Sequence, residues 1–194
     1  MNPEQVLTMF GETGALLEGH FQLTSGLHSN QYFQCAKVLQ YPERCEALCA
    51  DIAFRFRPLA IDVVIAPALG GIVVGQEVGR QLGVRTLFAE RKDGTMQLRR
   101  GFDIRPRERV LVCEDVVTTG GSVQEVLAIV QALGGAVAGV ACIVDRSGGA
   151  VRFAASPEPH HAVLTMQATT HQPAACPLCA AGTPVVKPGS RGNR

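Results

Sequence analysis

The stretch Val110-Leu-Val-Cys-Glu-Asp-Val-Val-Thr-Thr-Gly-Gly-Ser122 decides how this chain is read, because an apolar run passes into two acids and then a turn of hydroxyls and glycines. Val110 to Cys113 suits a buried strand of a parallel sheet, and Val123, Val126, Leu127, Val130 and Leu133 have the spacing of a helix packed back on that sheet. The turn between them then lies at a strand's carboxyl end, where open α/β sheets bind ligands. A helix starting near Gly121 aims free N–H groups and a positive dipole end into the turn. Gly120 and Gly121 permit close backbone approach, while Thr118, Thr119 and Ser122 add hydroxyl donors. The sequence predicts an anion cradle.

The two acids narrow the ligand. A Walker A loop needs Lys followed by Ser or Thr after its last glycine, and the dinucleotide fingerprint needs G-x-G-x-x-G; neither occurs here. Glu114 and Asp115 would repel a bare phosphate, so the ligand must also present sugar hydroxyls, a divalent cation, or both. A ribose phosphate meets that demand.

Working outward, a second strand is predicted over Asp62 to Ala66, a helix over Gly71 to Leu82 and a strand over Thr86 to Ala89, so Ala66-Pro-Ala-Leu-Gly-Gly71 is another turn at the same sheet edge. The second unit repeats this spacing with a strand over Arg109 to Cys113, a helix over Gly121 to Leu133 and a strand over Ala136 to Val144. Helices are also expected over Glu4 to Thr13 and Pro42 to Phe56, and a last strand over His161 to Met166. Strand and helix alternate, which gives an α/β fold with a mainly parallel sheet. Glu90 to Pro106 is charged and lacks a sustained apolar period, so it is expected as a long surface loop.

These residues carry a resemblance. Val110 to Ser122 resembles the phosphoribosyl pyrophosphate motif of the type I phosphoribosyltransferases, and four further segments are similar to the members that use orotate. They are Phe21-Gln-Leu-Thr-Ser-Gly-Leu-His-Ser29 with Tyr32-Phe33 (an N-terminal hood), Ala66 to Gly71 (a pyrophosphate loop), Glu90-Arg-Lys-Asp-Gly94 through Leu98-Arg-Arg-Gly101 (a mobile catalytic loop), and Asp145-Arg146 (the end of the orotate-binding strand). The resemblance implies a single Rossmann-like domain with a twisted, mainly parallel sheet flanked by helices. Its parts are a helix and hood over 1–40, a core over 41–182 with a mobile loop over 90–106, and a flexible tail over 183–194.

The resemblance also assigns roles. Glu114, Asp115, Val116, Val117, Thr118, Thr119, Gly120, Gly121 and Ser122, with Leu69 and Gly70, would bind 5-phosphoribosyl 1-pyrophosphate, the acids meeting the ribose hydroxyls. Thr118, Arg146, Tyr32 and Phe33 would bind orotate. Arg91, Lys92, Arg99, Arg100 and Asp115 would be catalytic. Magnesium would enter with the pyrophosphate, with Glu114 and Asp115 as candidate ligands, and Leu69 would adjoin a non-proline cis peptide. The product would be orotidine 5′-monophosphate, made during pyrimidine biosynthesis in a homodimer whose 90–106 loop reaches the neighbouring site. Members often carry Lys where Thr24, Gly70 and Thr95 stand, and His near Gln97; all are uncharged here, and Arg99 with Arg100 is the expected compensation.

Composition sets the remaining bounds. A chain of 194 residues, 46% hydrophobic, supports one sizeable domain. Eighteen Lys and Arg against seventeen Asp and Glu leave a net charge of +1, so no basic field argues for nucleic acid or a membrane surface. No apolar run approaches the length of a membrane helix, and a cytoplasmic location is expected. Seven cysteines are expected as reduced thiols, mostly small core residues. Cys176-Pro-Leu-Cys179 supplies only two ligands, with His171 as a nearby third where zinc usually takes four, so a plain turn is the expected reading. His20 and His28 are expected as exposed loop histidines without a role. Two alternatives stay open: a purine-base phosphoribosyltransferase, and a regulator that uses the fold as a ligand sensor.

Overall fold

The computed structural model describes residues 1–23, 25–157, 160–167 and 169–188. In chain order the elements are α1 (Pro3–Glu12), β1 (Leu16–Gln22), β2 (His28–Phe33), α2 (Ala36–Leu39), α3 (Pro42–Phe56), β3 (Val63–Pro67), α4 (Gly70–Leu82), β4 (Arg85–Lys92), β5 (Thr95–Leu98), β6 (Arg109–Val117), α5 (Gly121–Ala132), β7 (Ala136–Asp145), β8 (His161–Thr165), β9 (Thr170–His171) and α6 (Pro177–Ala180). Six strands form one sheet in the order β5-β4-β3-β6-β7-β8, all parallel except β5. A separate three-stranded sheet, β1-β2-β9, is the N-terminal hood closed by a C-terminal strand.

Strand periodicity sorts the core onto two faces. Val64, Leu111, Cys113, Ala141 and Ile143 pack with α1, α3 and α4 through Phe10, Leu48, Ile52, Val74 and Val78. Their neighbours Val63, Ile65, Val110, Val112, Val140 and Cys142 pack with Val123, Val126, Leu127 and Val130 of α5. Alternate residues of one strand thus serve opposite layers, which is why β3 and β6 read as continuous apolar runs. The expected α/β architecture holds, and α3 spans the residues that its pattern predicts.

Two segments differ from expectation. Residues Glu90 to Leu98 are not a loop: β4 runs on to Lys92 and pairs antiparallel with β5, Arg91 opposite Met96 and Lys92 opposite Thr95. The two-residue turn is Asp93-Gly94, with φ of 53° and 82°. Positive φ at both positions is what a type I′ hairpin turn demands, and Asp-Gly is its sequence signature. Charge on the hairpin's exposed positions masked the strand alternation, while Met96 is buried in the core beside Ile104. The second segment is the tail, where Val186 exchanges backbone hydrogen bonds with His20 and Gln22, 2.8 Å each, so its first residues are joined to the hood. Residues 189–194 and Thr24 lie outside the described residues.

Candidate active site

Strands β3 and β6 end side by side, and each turns directly into a helix. Helix α4 begins at Gly70 after Leu69, and α5 at Gly121 after Gly120, with no side-chain cap on either. Two sets of free helical N–H groups and two positive dipole ends therefore open on one sheet edge. The peptide between Ala68 and Leu69 is cis, as the resemblance implied for this turn.

Two cavities adjoin there. The smaller, about 70 Å³, is lined by Glu114, Val116 and the continuous turn from Val117 through Val123. Gly120 sits in its wall with φ of 77°, and a β-carbon there would come within 2.8 Å of the Phe153 ring, so neither the turn nor its packing admits a side chain. The larger cavity, about 750 Å³, runs from this turn to the hood; Leu69, Gly70, Asp115, Thr118, Tyr32 and Arg146 are among its lining residues. Val116, Thr118 and Thr119 border both. Every residue expected to bind the phosphoribosyl donor or the base lines one cavity or the other.

Two acids and one base are the charged groups of the two cavities. Glu114 is buried, and burial, then the adjacent Asp115 charge, pushes its carboxyl up to about 9. Its Oε1 accepts the Asp115 backbone N–H at 3.0 Å, and Asp115 Oδ1 accepts that of Val116 at 2.9 Å. Among the described residues neither acid is paired with Lys or Arg. The pair is a set of hard oxygen donors suited to hydroxyls or a divalent cation.

Arg146 lines the larger cavity with Asp115. It is 9% exposed; among the described residues its Nη2 meets the Gln31 carbonyl at 3.5 Å and its Nε is buried without a partner. Its guanidinium carbon stands 5.6 Å from the Phe33 ring centre, and burial lowers its pKa. A buried guanidinium with an unfilled donor is costly unless an anion completes it. Tyr32 donates its hydroxyl to Gln34 Oε1 at 3.2 Å and packs on Phe21, while Phe33 packs edge-on against Phe10. These contacts fix two rings at the Arg146 end of the cavity. Gln34 and Cys35 also line it, a contribution unseen in the sequence, although they directly follow Tyr32-Phe33. Burial raises the Cys35 thiol well above its ordinary range, so it is an unreactive wall.

Asp145, the preceding residue, ties down the turn that follows Arg146. Its carboxylate accepts the N–H groups of Ser147 at 2.7 Å and Gly149 at 3.1 Å, and meets His160 Nε2 at 2.9 Å. Burial acts to raise its pKa, but the Ser147 and His160 bonds outweigh that and hold it below its ordinary 3.8. A lowered carboxyl contributes stability that is present above its unfolded pKa and lost as pH falls through its folded one. Asp145→Asn is therefore expected to lower stability by about 2 kcal/mol near pH 7, with the gap to wild type closing below about pH 4, as checked by urea unfolding across pH.

Arg91, Lys92, Arg99 and Arg100 are elsewhere. None lines either cavity. Arg91 forms a fork with Glu125 of α5 at 2.5 and 2.9 Å, Arg99 and Arg100 share Glu90 at 3.3 and 3.0 Å, and Arg100 also stands 5.5 Å over Phe88. Within one chain, the structure brings together the donor and base residues and leaves these cations outside.

Gly70 lies against Asp115. A β-carbon at this position would collide with the Asp115 carboxylate. Gly70→Ala should leave the melting temperature nearly unchanged, since a carboxylate can rotate away, yet displacing Asp115 should lower kcat/KM by about tenfold or more. Melting curves and steady-state kinetics on the same preparation separate the two effects.

Sequence comparison supplies the family. The phosphoribosyl transferase domain model matches residues 37–156. The orotate phosphoribosyltransferase of Chlorobaculum parvum is 59% identical over 193 residues, covering 100% of this chain and 98% of that protein. The chain belongs to the orotate phosphoribosyltransferase family. The namesake from Desulforamulus reducens is 54% identical over 191 residues, 98% of each chain. Among solved structures, the orotate phosphoribosyltransferase of Aeropyrum pernix superposes with a TM-score of 0.69 at 24% identity, covering 84% of this chain and 94% of its own. The adenine phosphoribosyltransferase of Rhodothermus marinus reaches 0.67 at 20%, covering 82% and 99%. Fold alone thus spans two bases, and the base-contacting residues must carry the distinction.

Proposed function

We propose that the chain transfers the phosphoribosyl group of 5-phosphoribosyl 1-pyrophosphate to orotate, giving orotidine 5′-monophosphate and pyrophosphate, a step of pyrimidine biosynthesis. The buried, unfilled Arg146 in the wall of the larger cavity carries this reading. Orotate is a planar ring bearing a carboxylate, and a guanidinium is the group that meets a carboxylate with two parallel donors. Tyr32 and Phe33 flank the ring, and Thr118 donates to it.

The 5-phosphate takes the small cavity, against the N–H groups and hydroxyls of Thr118 to Ser122. Glu114 and Asp115 receive the ribose hydroxyls, and Leu69 and Gly70 offer backbone N–H groups to the pyrophosphate. A ring nitrogen of orotate attacks the anomeric carbon as the bond to pyrophosphate breaks, and the electron pair leaves with pyrophosphate. The ring N–H is already acidic, so no general base is required. Glu114 and Asp115 would hold a magnesium ion brought in with the donor, and the ion would supply positive charge against the negative charge growing on the leaving group. Arg91, Lys92, Arg99 and Arg100 complete that neutralisation from the neighbouring protomer of a homodimer, the 90–106 segment closing over the partner's site and excluding water. Their location outside this chain's own cavities supports that arrangement.

No helix among the described residues is long and apolar enough to cross a membrane. Small-molecule substrates, and neither nucleic acid nor membrane, are the proposed partners, and the cytoplasm the proposed location. The test is consumption of orotate, followed by its ultraviolet absorbance, with 5-phosphoribosyl 1-pyrophosphate and magnesium, beside the same assay with adenine. Turnover of orotate alone is expected; turnover of adenine alone would replace orotate by a purine.

A further inference from the structure

Four side chains outside the cavities converge under the hood. His20 lies within β1, His28 starts β2, Cys176 precedes α6 and Cys179 lies within it; one ligand atom from each is within 4.8 Å of all the others. His20, His28 and Cys176 are 3, 5 and 3% exposed, and only Cys179 reaches the surface. The expectation of exposed loop histidines is therefore wrong: β1 and β2 turn both rings inward, toward a C-terminal turn 156 residues away from His20. His171, the nearest histidine in sequence, instead pairs in register with His28 along the hood sheet.

We propose that these four residues hold a structural zinc ion. His20 Nε2 is approached by His28 Nδ1 at 2.8 Å, Cys176 Sγ at 3.5 Å and Cys179 Sγ at 3.7 Å, and Cys179 Sγ lies 3.3 Å from His28 Nδ1. One imidazole lone pair cannot accept three hydrogen bonds, but a single cation between the groups satisfies all four. Bond lengths of about 2.0–2.1 Å to nitrogen and 2.3 Å to sulfur give nitrogen–sulfur separations near 3.6 Å in a tetrahedron. The observed sulfur distances bracket that value. The two nitrogens sit closer than the roughly 3.3 Å of a tetrahedron, so ion entry moves the rings apart by about half an ångström.

The outer contacts fit the same assignment. His20 Nδ1 lies 2.7 Å from the Thr183 carbonyl, which fixes its proton there and leaves the Nε2 lone pair facing the cluster. Two thiolates and two imidazoles are too soft a set for magnesium or calcium and suit zinc. A two-iron cluster with mixed ligands would divide sulfur and nitrogen between separate metals, whereas here they interleave at 3.3–3.7 Å. On binding, the two thiols lose their protons to solvent.

Such an ion clasps the segment from Cys176 to Val186 to the hood. Val186 bonds to β1 just beyond the site, and the hood supplies Leu23, Ser25 and Tyr32 to the larger cavity. The zinc assignment does not depend on the base used, and its test reads metal directly. Protein made in zinc-supplemented medium, without a histidine tag, is dialysed and assayed by mass spectrometry of metals. About one zinc per chain is expected, falling below about a tenth in Cys176→Ser, Cys179→Ser. Cobalt reconstitution should give the visible bands of a tetrahedral site with near-ultraviolet thiolate absorption. If the double variant is insoluble, mercurial titration of the wild type should release zinc in step with two thiols. Wild type without zinc, zinc retained in the double variant, or a Cys176–Cys179 disulfide in freshly isolated protein would each overturn the assignment.

Discussion

Replacing Arg146 by Ala is expected to lower kcat/KM for orotate by roughly 10²–10³, about 3–4 kcal/mol, the loss for removing one partner of a buried charged pair. Burial is what makes the effect large. At 9% exposure water cannot replace the guanidinium, so the substrate carboxylate would be stripped of solvent with no compensation. The loss should fall mainly on KM for orotate, with the KM for the phosphoribosyl donor changed little, because Arg146 does not line the small cavity. Arg146→Lys should recover little, since an ammonium cannot form the fork. The folded state should tolerate Ala: in the free protein Arg146 has one long bond to Gln31 and an orphaned Nε. Steady-state kinetics with each substrate varied check the division.

The double variant Arg99→Ala, Arg100→Ala is expected to lower kcat by about 10²–10³ with little change in either KM, as for loss of preorganised donors to a leaving group. Both side chains are held here by Glu90 at an exposed site, and such pairs contribute only about 0–1 kcal/mol, so they can be released to a partner's site at small cost. The composite arrangement adds a second expectation. Mixing this inactive variant with inactive Arg146→Ala should restore activity toward about a quarter of wild type, because half the dimers are mixed and each holds one intact site. Unchanged turnover in the double variant would remove these arginines from the chemistry, and no recovery on mixing would remove the sharing.

Much of this was legible in the sequence because each signal was local. Buried parallel strands read as the apolar runs Val63 to Ala66 and Val110 to Cys113, and the donor turn is a single stretch ending at Ser122. The hairpin over Arg85 to Leu98 was obscured because charge outweighed alternation, although Asp93-Gly94 named the turn. The metal cluster was hidden for a different reason. Its ligands come from two strands and a short helix far apart in sequence, so C-x-x-C appeared as half a site and each histidine as a loop residue. Strand β9 is two residues long and exists only by pairing with β2, which no local propensity specifies.

Selection of the base by Arg146 through its carboxylate is tested most directly by comparing orotate with uracil, the same ring lacking that group, in wild type and in Arg146→Gln. Wild type should prefer orotate in kcat/KM by at least about a hundredfold, and the variant should lose most of that preference while uracil turnover stays nearly constant. An undiminished preference for orotate in Arg146→Gln would move the carboxylate site away from Arg146, elsewhere in the cavity.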